Sequence, residues 1–169
     1  MTEWQRGRAS TRAVIGEDAE GLFSLDVRAD GPHALVAGTT GSGKSELLQT
    51  LIASLCALNT PESMTFVLVD YKGGAAFKDC ARLPHTVGMV TDLDGHLTGR
   101  ALESLGAELR RRERLLARAD AKDIEDYTAA LGPGDEPMPR LMLIIDEFAA
   151  LVAELPDFVT GLVDIARRG

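Results

Sequence analysis

The chain has 169 residues, 45% of them hydrophobic, and a formal net charge of −8, which suits one soluble α/β domain with a real core. That acidic balance leaves no general basic footprint for a phosphate backbone, and no apolar run approaches the ~18 residues of a membrane span. No apolar signal-peptide centre opens the chain, and Cys56 and Cys80 are too far apart for a metal motif, which together predict reduced thiols in a cytosol-facing domain.

In chain order, Arg12–Ile15 and Leu22–Val27 flank the polar turn Gly16–Gly21 and predict a β-hairpin. His33–Ala37 is a short apolar stretch suited to a buried parallel strand. It runs into Gly38-Thr39-Thr40-Gly41-Ser42-Gly43-Lys44-Ser45, which fits the phosphate-binding pattern G-x-x-x-x-G-K-[ST] at every fixed position. Glycines there allow positive φ, so that successive N–H groups face the phosphates. Lys44 brings an ammonium to the β/γ-phosphates, Ser45 a hydroxyl to Mg²⁺, and the next helix its positive end. That helix is predicted from Leu48, Leu51, Ile52 and Leu55 at helical spacing, and it closes at Asn59-Thr60-Pro61.

Thr65–Val69 and Thr86–Val90 read as further buried strands, ending at Asp70 and at Thr91-Asp92. From about Gly95 to Ala119 a long helix carries Leu102, Leu105, Leu109 and Leu116 on one stripe. After a loop at 132–137, Leu141–Ile145 is a non-alternating apolar run that ends in Asp146-Glu147. At the carboxyl end of such a strand, Asp146 can support Mg²⁺ through water, while Glu147 can orient and deprotonate an attacking water. The plainer reading makes the pair helix-capping acids for a helix starting at Phe148. The alternation of strands and helices predicts an α/β fold with a mostly parallel sheet between helices, plus the N-terminal hairpin. We divide the chain into a hairpin segment, 1–30, and a P-loop ATPase core, 31–169.

Several motifs together resemble the FtsK/SpoIIIE family of ring-forming motor ATPases, over about Ile15 to Gly169. They are Pro32-His33, the glycine loop, Val69-Asp70-Tyr71-Lys72-Gly73-Gly74, Leu83-Pro84-His85, Val90-Thr91-Asp92, Arg110-Arg111-Arg112, Ile144–Phe148 and Asp164–Gly169. Tyr71–Gly74 and the phrase around Phe77 look most similar to the type VII secretion branch. The resemblance implies a P-loop NTPase of the RecA/ASCE-like kind that binds ATP and Mg²⁺ and hydrolyses ATP between subunits of a hexameric homo-oligomeric ring. Gly38–Ser45 would hold the nucleotide, Ser45 and Asp146 the metal (Asp146 through water), with Lys44 and Glu147 catalytic.

The implied setting is the inner face of the cell membrane, reached through membrane subunits or segments outside this chain. The implied work is export of a secreted protein. A double-stranded DNA translocase and a non-hydrolysing nucleotide-binding assembly domain are the alternatives. In the family a further strand, following the acid pair in sequence and ending in a polar sensor, lies between the phosphate-loop strand and the Asp-Glu strand. An incomplete sheet, and weak binding and turnover by this chain alone, are therefore expected.

Other residues divide between chemistry and structure. Lys72 can reach nucleotide or a neighbouring subunit, or sit solvated on its loop. Asp70 and Asp92 suit capping better than the Mg²⁺ environment. His85 suits a rigid structural turn, His33 and His96 share no metal spacing, and Arg110–Arg112 with Arg114 suit a solvated helix face beside Glu108 and Glu113. Neither Ser42 nor Ser45 has a histidine placed to make it a nucleophile.

Overall fold

The computed structural model describes residues 9–71, 73, 76–91 and 95–167, without the side chains of 95, 96 and 98. Lys72, Gly74, Asp92, the side chain of His96 and the closing Arg168-Gly169 therefore lie outside the described residues, as do 1–8 of the hairpin segment. Five strands are described: β1 Arg12–Asp18, β2 Gly21–Asp26, β3 Met64–Asp70, β4 Thr86–Thr91 and β5 Arg140–Asp146. The helices are α1 Lys44–Leu58, α2 Gly95–Ala119, α3 Ile124–Ala130, α4 Phe148–Glu154 and α5 Pro156–Ala166, with a 3₁₀ turn at Cys80–Arg82. No described helix is long and apolar enough to cross a membrane.

β1 and β2 form the expected antiparallel hairpin, with a register shift between Val14 and Gly16. The strands extend closer to the tip than predicted because the Asp18 carboxylate accepts from the N–H groups of Glu20 and Gly21, at 2.8 and 3.1 Å, and so supports a tight turn. The main sheet has the order β4-β3-β5 and is parallel throughout.

Strand alternation in the central β3 sorts the core into two layers. Met64, Phe66 and Leu68 face the side that also holds Leu51, Ile52, Leu55 and Cys56 of α1 and Ala13 of the hairpin. Val69 faces the other side, where Leu151, Phe158 and Leu162 of α4 and α5 pack with Leu102 and Leu105 of α2. The register Asp70↔Asp146 aligns β5 with β3. The even-numbered Met142 and Ile144 accordingly join the α1 layer, and Leu143 and Ile145 the other. By the same parity, Asp70 and Asp146 end their strands on the α1 side. That is why the sheet delivers them to the phosphate loop.

The strand predicted at His33–Ala37 is a correction: this stretch carries no strand assignment. Its Leu35 is 78% and Val36 40% exposed. Apolar composition makes a strand only where a neighbour supplies the ladder, and among the described residues none pairs with it. Helices α3 and α5 and the 3₁₀ turn were not anticipated from the sequence. Both helices have a local cause. Asp123 caps α3 by accepting from the N–H of Asp126 at 2.8 Å, and Pro156 opens α5 at its first turn.

Candidate functional site

The glycine loop is built by backbone that only glycine adopts freely. Gly41 has φ 78° and Gly43 φ 89°, which turns the chain into α1 without side-chain clash. At Gly38 the restriction is space, since a Cβ there would stand 2.5 Å from Ser42 Oγ. The Lys44 ammonium donates to the carbonyls of Gly38 and Thr39, at 2.9 and 3.0 Å. It is thereby held over its own loop. A carbonyl is a weaker acceptor than an anionic oxygen, so the lysine can pass from these bonds to a phosphate.

The link to the acid pair is direct. Ser45 Oγ donates to Asp146 Oδ2 at 2.9 Å, across 101 residues of sequence. Asp146 is buried at 8% exposure, and its second oxygen accepts from the N–H of Glu147 at 2.9 Å. Glu147 takes the left-handed conformation φ 57°, ψ 36° and stands at the start of α4 without capping it through its side chain. Its carboxylate projects to solvent beside the loop-facing end of the sheet. The helix-capping alternative for the acids thus finds no side-chain capping bond at Glu147. Ser45 hydroxyl and Asp146 carboxylate are hard oxygen donors, a set that fits Mg²⁺, which takes few protein ligands and keeps water or phosphate oxygens for the rest. Among the described residues no group of three or more His, Cys, Asp or Glu could hold a metal by itself.

Around this centre the structure places the other candidates. Asp70, at 4% exposure, accepts from the N–H of Ala76 at 3.0 Å, the turn-supporting role preferred from sequence. Gln49 of α1, which sequence reasoning passed over, donates to the Ala76 carbonyl at 2.7 Å. His85 is buried with Nε2 2.9 Å from the Asn59 carbonyl; since a carbonyl only accepts, Nε2 carries the proton. It locks the end of α1 to the start of β4 and is structural.

Arg111 and Arg112 are not simply solvated. Both bind the Glu108 carboxylate at 2.8 Å, and Arg111 also reaches Glu136 at 2.8 Å. Arg110 and Arg114 are exposed. Burial pushes the thiols up, that of Cys56 to about 11 and that of Cys80 in the same direction, which keeps both protonated and inert. A groove of about 810 Å³ lies on the far face between α2 and the sheet, away from the glycine loop, and it includes Val67, Val87 and Arg100.

Comparison with known proteins gives the same picture. The family model of the FtsK/SpoIIIE family matches residues 1–169. The type VII secretion system protein EssC of Staphylococcus aureus is 48% identical over 174 aligned positions, covering 100% of this chain and 12% of that protein. Among solved structures, the cytoplasmic domain of the Thermomonospora curvata type VII secretion ATPase EccC superposes with a TM-score of 0.87 at 39% identity, over 98% of this chain and 21% of that one. A second structure, of ATPases 2 and 3 of the same EccC in complex with a signal sequence peptide, gives 0.81 at 27% identity, over 96% and 31%. The chain thus spans a small part of each protein it matches. It belongs to the FtsK/SpoIIIE family and has the α/β fold of the P-loop ATPase domains of type VII secretion EccC and EssC.

Proposed function

We propose that this chain binds ATP with Mg²⁺ and forms the hydrolytic core of a type VII secretion motor. The observation that carries the reading is the 2.9 Å bond from Ser45 Oγ to Asp146 Oδ2, which joins the two halves of a metal–phosphate site. Gly38, Thr39, Thr40, Gly41, Ser42 and Gly43 wrap the phosphates with backbone N–H groups, and Lys44 offsets their charge. Ser45, and Asp146 through water, would hold Mg²⁺, which when bound would supply positive charge to offset that of the triphosphate. Glu147 orients a water in line with the γ-phosphorus and takes its proton as the bond to the β–γ bridging oxygen breaks, leaving ADP and phosphate.

Two substitutions test this in the full-length protein. Lys44→Ala removes a charge-assisted contact worth ~2 kcal/mol, so ATP affinity falls at least roughly tenfold. Glu147→Gln keeps binding but lowers turnover ~100-fold or more, because an amide cannot accept the proton. Normal turnover by Glu147→Gln overturns the assignment of the base. ATP binding without turnover by the wild-type protein would instead favour an assembly role.

The work we propose is protein export by a ring of such subunits, hexameric when complete, at the inner face of the membrane through parts outside this chain. The relatives' type VII secretion names support it, as does a neighbour solved with a signal sequence peptide. Stimulation of ATP turnover by the terminal peptide of a secreted substrate is expected; stimulation by duplex DNA instead would mark a DNA translocase. We further place the boundary of the ATPase core near residue 31 and a further strand, from later in the protein, between 33–37 and β5. The exposed Leu35 and Val36 support that placement, as does the outer edge of β5, which pairs with no strand among the described residues.

A further inference from the structure

Ser45 and Gln49 lie four residues apart on α1, and hence on one face of that helix. Ser45 bonds the end of β5 through Asp146. Gln49 bonds the Ala76 carbonyl at 2.7 Å. The Ala76 N–H returns to Asp70 at 3.0 Å, and Asp70 is the register partner of Asp146. These contacts close a ring: Ser45, Asp146, Asp70, Ala76, Gln49 and back through one helical turn. From the ring Tyr71, next to Asp70, donates to Glu154 Oε2 at 2.6 Å. Glu154 is the last residue of α4, the helix that Glu147 begins. The phosphate-loop helix is therefore tied to both ends of the Glu147 unit, at one end through Asp146 and at the other through Tyr71.

We propose that Gln49, Asp70 and Tyr71 are positioning residues that transmit the state of the metal–phosphate site to α4 and so set the attitude of Glu147. This tie rests on the nucleotide reading above. The ring bonds are part-buried, whereas the Tyr71–Glu154 bond is solvent-exposed and can make and break. Its hydrogen bond to Glu154 holds the phenol proton and pushes the Tyr71 titration above its ordinary value. At neutral pH Tyr71 is thus a donor to a carboxylate. A shift of α1 as phosphates engage Lys44 and Ser45 pulls on Ala76 through Gln49, and Tyr71 passes the displacement on to the far end of α4.

Amide hydrogen exchange on this chain, with and without saturating Mg²⁺ and ATP, tests the tie, with ATP binding measured in parallel. In the wild type the nucleotide should slow exchange at Ala76 and across 148–154. Tyr71→Phe should keep the response at Ala76 and lose it in 148–154. Gln49→Ala should lose both, and Glu154→Gln should keep both, since its amide oxygen accepts the same bond. All three variants should hold ATP affinity within about twofold and unfold near the wild-type temperature, as residues outside the phosphate contacts do. A response in 148–154 that survives Tyr71→Phe, or a wild type that binds ATP with no change at Ala76, overturns the tie alone. Failure of the wild type to bind ATP overturns the nucleotide reading, and the tie with it.

Discussion

At Glu147 the backbone is strained for a purpose visible in its bonds. A left-handed conformation costs a residue with a Cβ about 1 kcal/mol, yet at φ 57° the chain bends so that Glu147 N–H returns to Asp146 while its carboxylate stands clear in solvent. Glycine tolerates that bend freely. Glycine also loses more chain entropy on folding, so the net gain for Glu147→Gly should be about 0.5 kcal/mol, a rise of roughly 1–2 °C in Tm for a chain of this size. Hydrolysis by the full-length protein should fall as for Glu147→Gln. Glu147→Gln retains the strain, so its Tm should stay at the wild-type value. Calorimetry of the pair decides it; equal Tm values for all three proteins would contradict the strain argument. The residues of the proposed centre were legible as a pattern, because each element of it has a local signature: glycine at positive φ, a lysine and a serine closing the loop, an acid pair after an apolar run. Their union on one metal came only as what the family resemblance implies, and the direct bond between them was not legible. The Ser45–Asp146 bond spans 101 positions, and neither spacing nor composition reports a contact that only the sheet register creates. Gln49 was missed for the same reason, since its partner is the backbone of Ala76.

Among the elements, α2 was legible end to end, from Gly95 to Ala119, because its leucine stripe repeats over several turns and outweighs local accidents. Strands β3 and β5 were equally plain, being continuous apolar runs bounded by acids. Two helices escaped: α3, whose seven residues hold too few periods to stand out, and α5, whereas the Phe148 start of α4 was anticipated. The stretch 33–37 failed in the opposite sense, since it has the composition of a strand and no ladder among the described residues. Along α2 the arginine run is tied down by Glu108, whose carboxylate serves Arg111 and Arg112 together. Arg112 keeps only 15% side-chain exposure, so Glu108→Ala strands a largely buried cation and should cost about 1–2 kcal/mol by denaturant unfolding. The bond from Arg111, followed by that from Arg112, holds the Glu108 carboxyl below its ordinary value of 4.5. A lowered acid stabilises the fold above its unfolded titration and loses that contribution as pH falls through the folded one. Wild-type stability should therefore drop below about pH 4.5 more steeply than that of Glu108→Gln. Parallel acid profiles would contradict this role.

For the whole molecule, the central strand is the organiser. Phe66 and Leu68 are fully buried on one face and Val69 at 2% exposure on the other, so β3 anchors both cores, and the parity that sorts them also points Asp70 and Asp146 at α1. Fold and site are one consequence of one register. The account stands or falls on whether the glycine loop and the acid pair act together on nucleotide. The most direct measurement is calorimetric titration of this chain with ATP, with and without Mg²⁺, for the wild type, Lys44→Ala and Asp146→Asn. We predict Mg²⁺-dependent binding by the wild type, weaker than in the full-length protein, and loss of at least about tenfold in affinity for Lys44→Ala. Asp146→Asn should lose the Mg²⁺ dependence. Binding that is indifferent to both substitutions, or no binding at all by the wild type, would contradict the account.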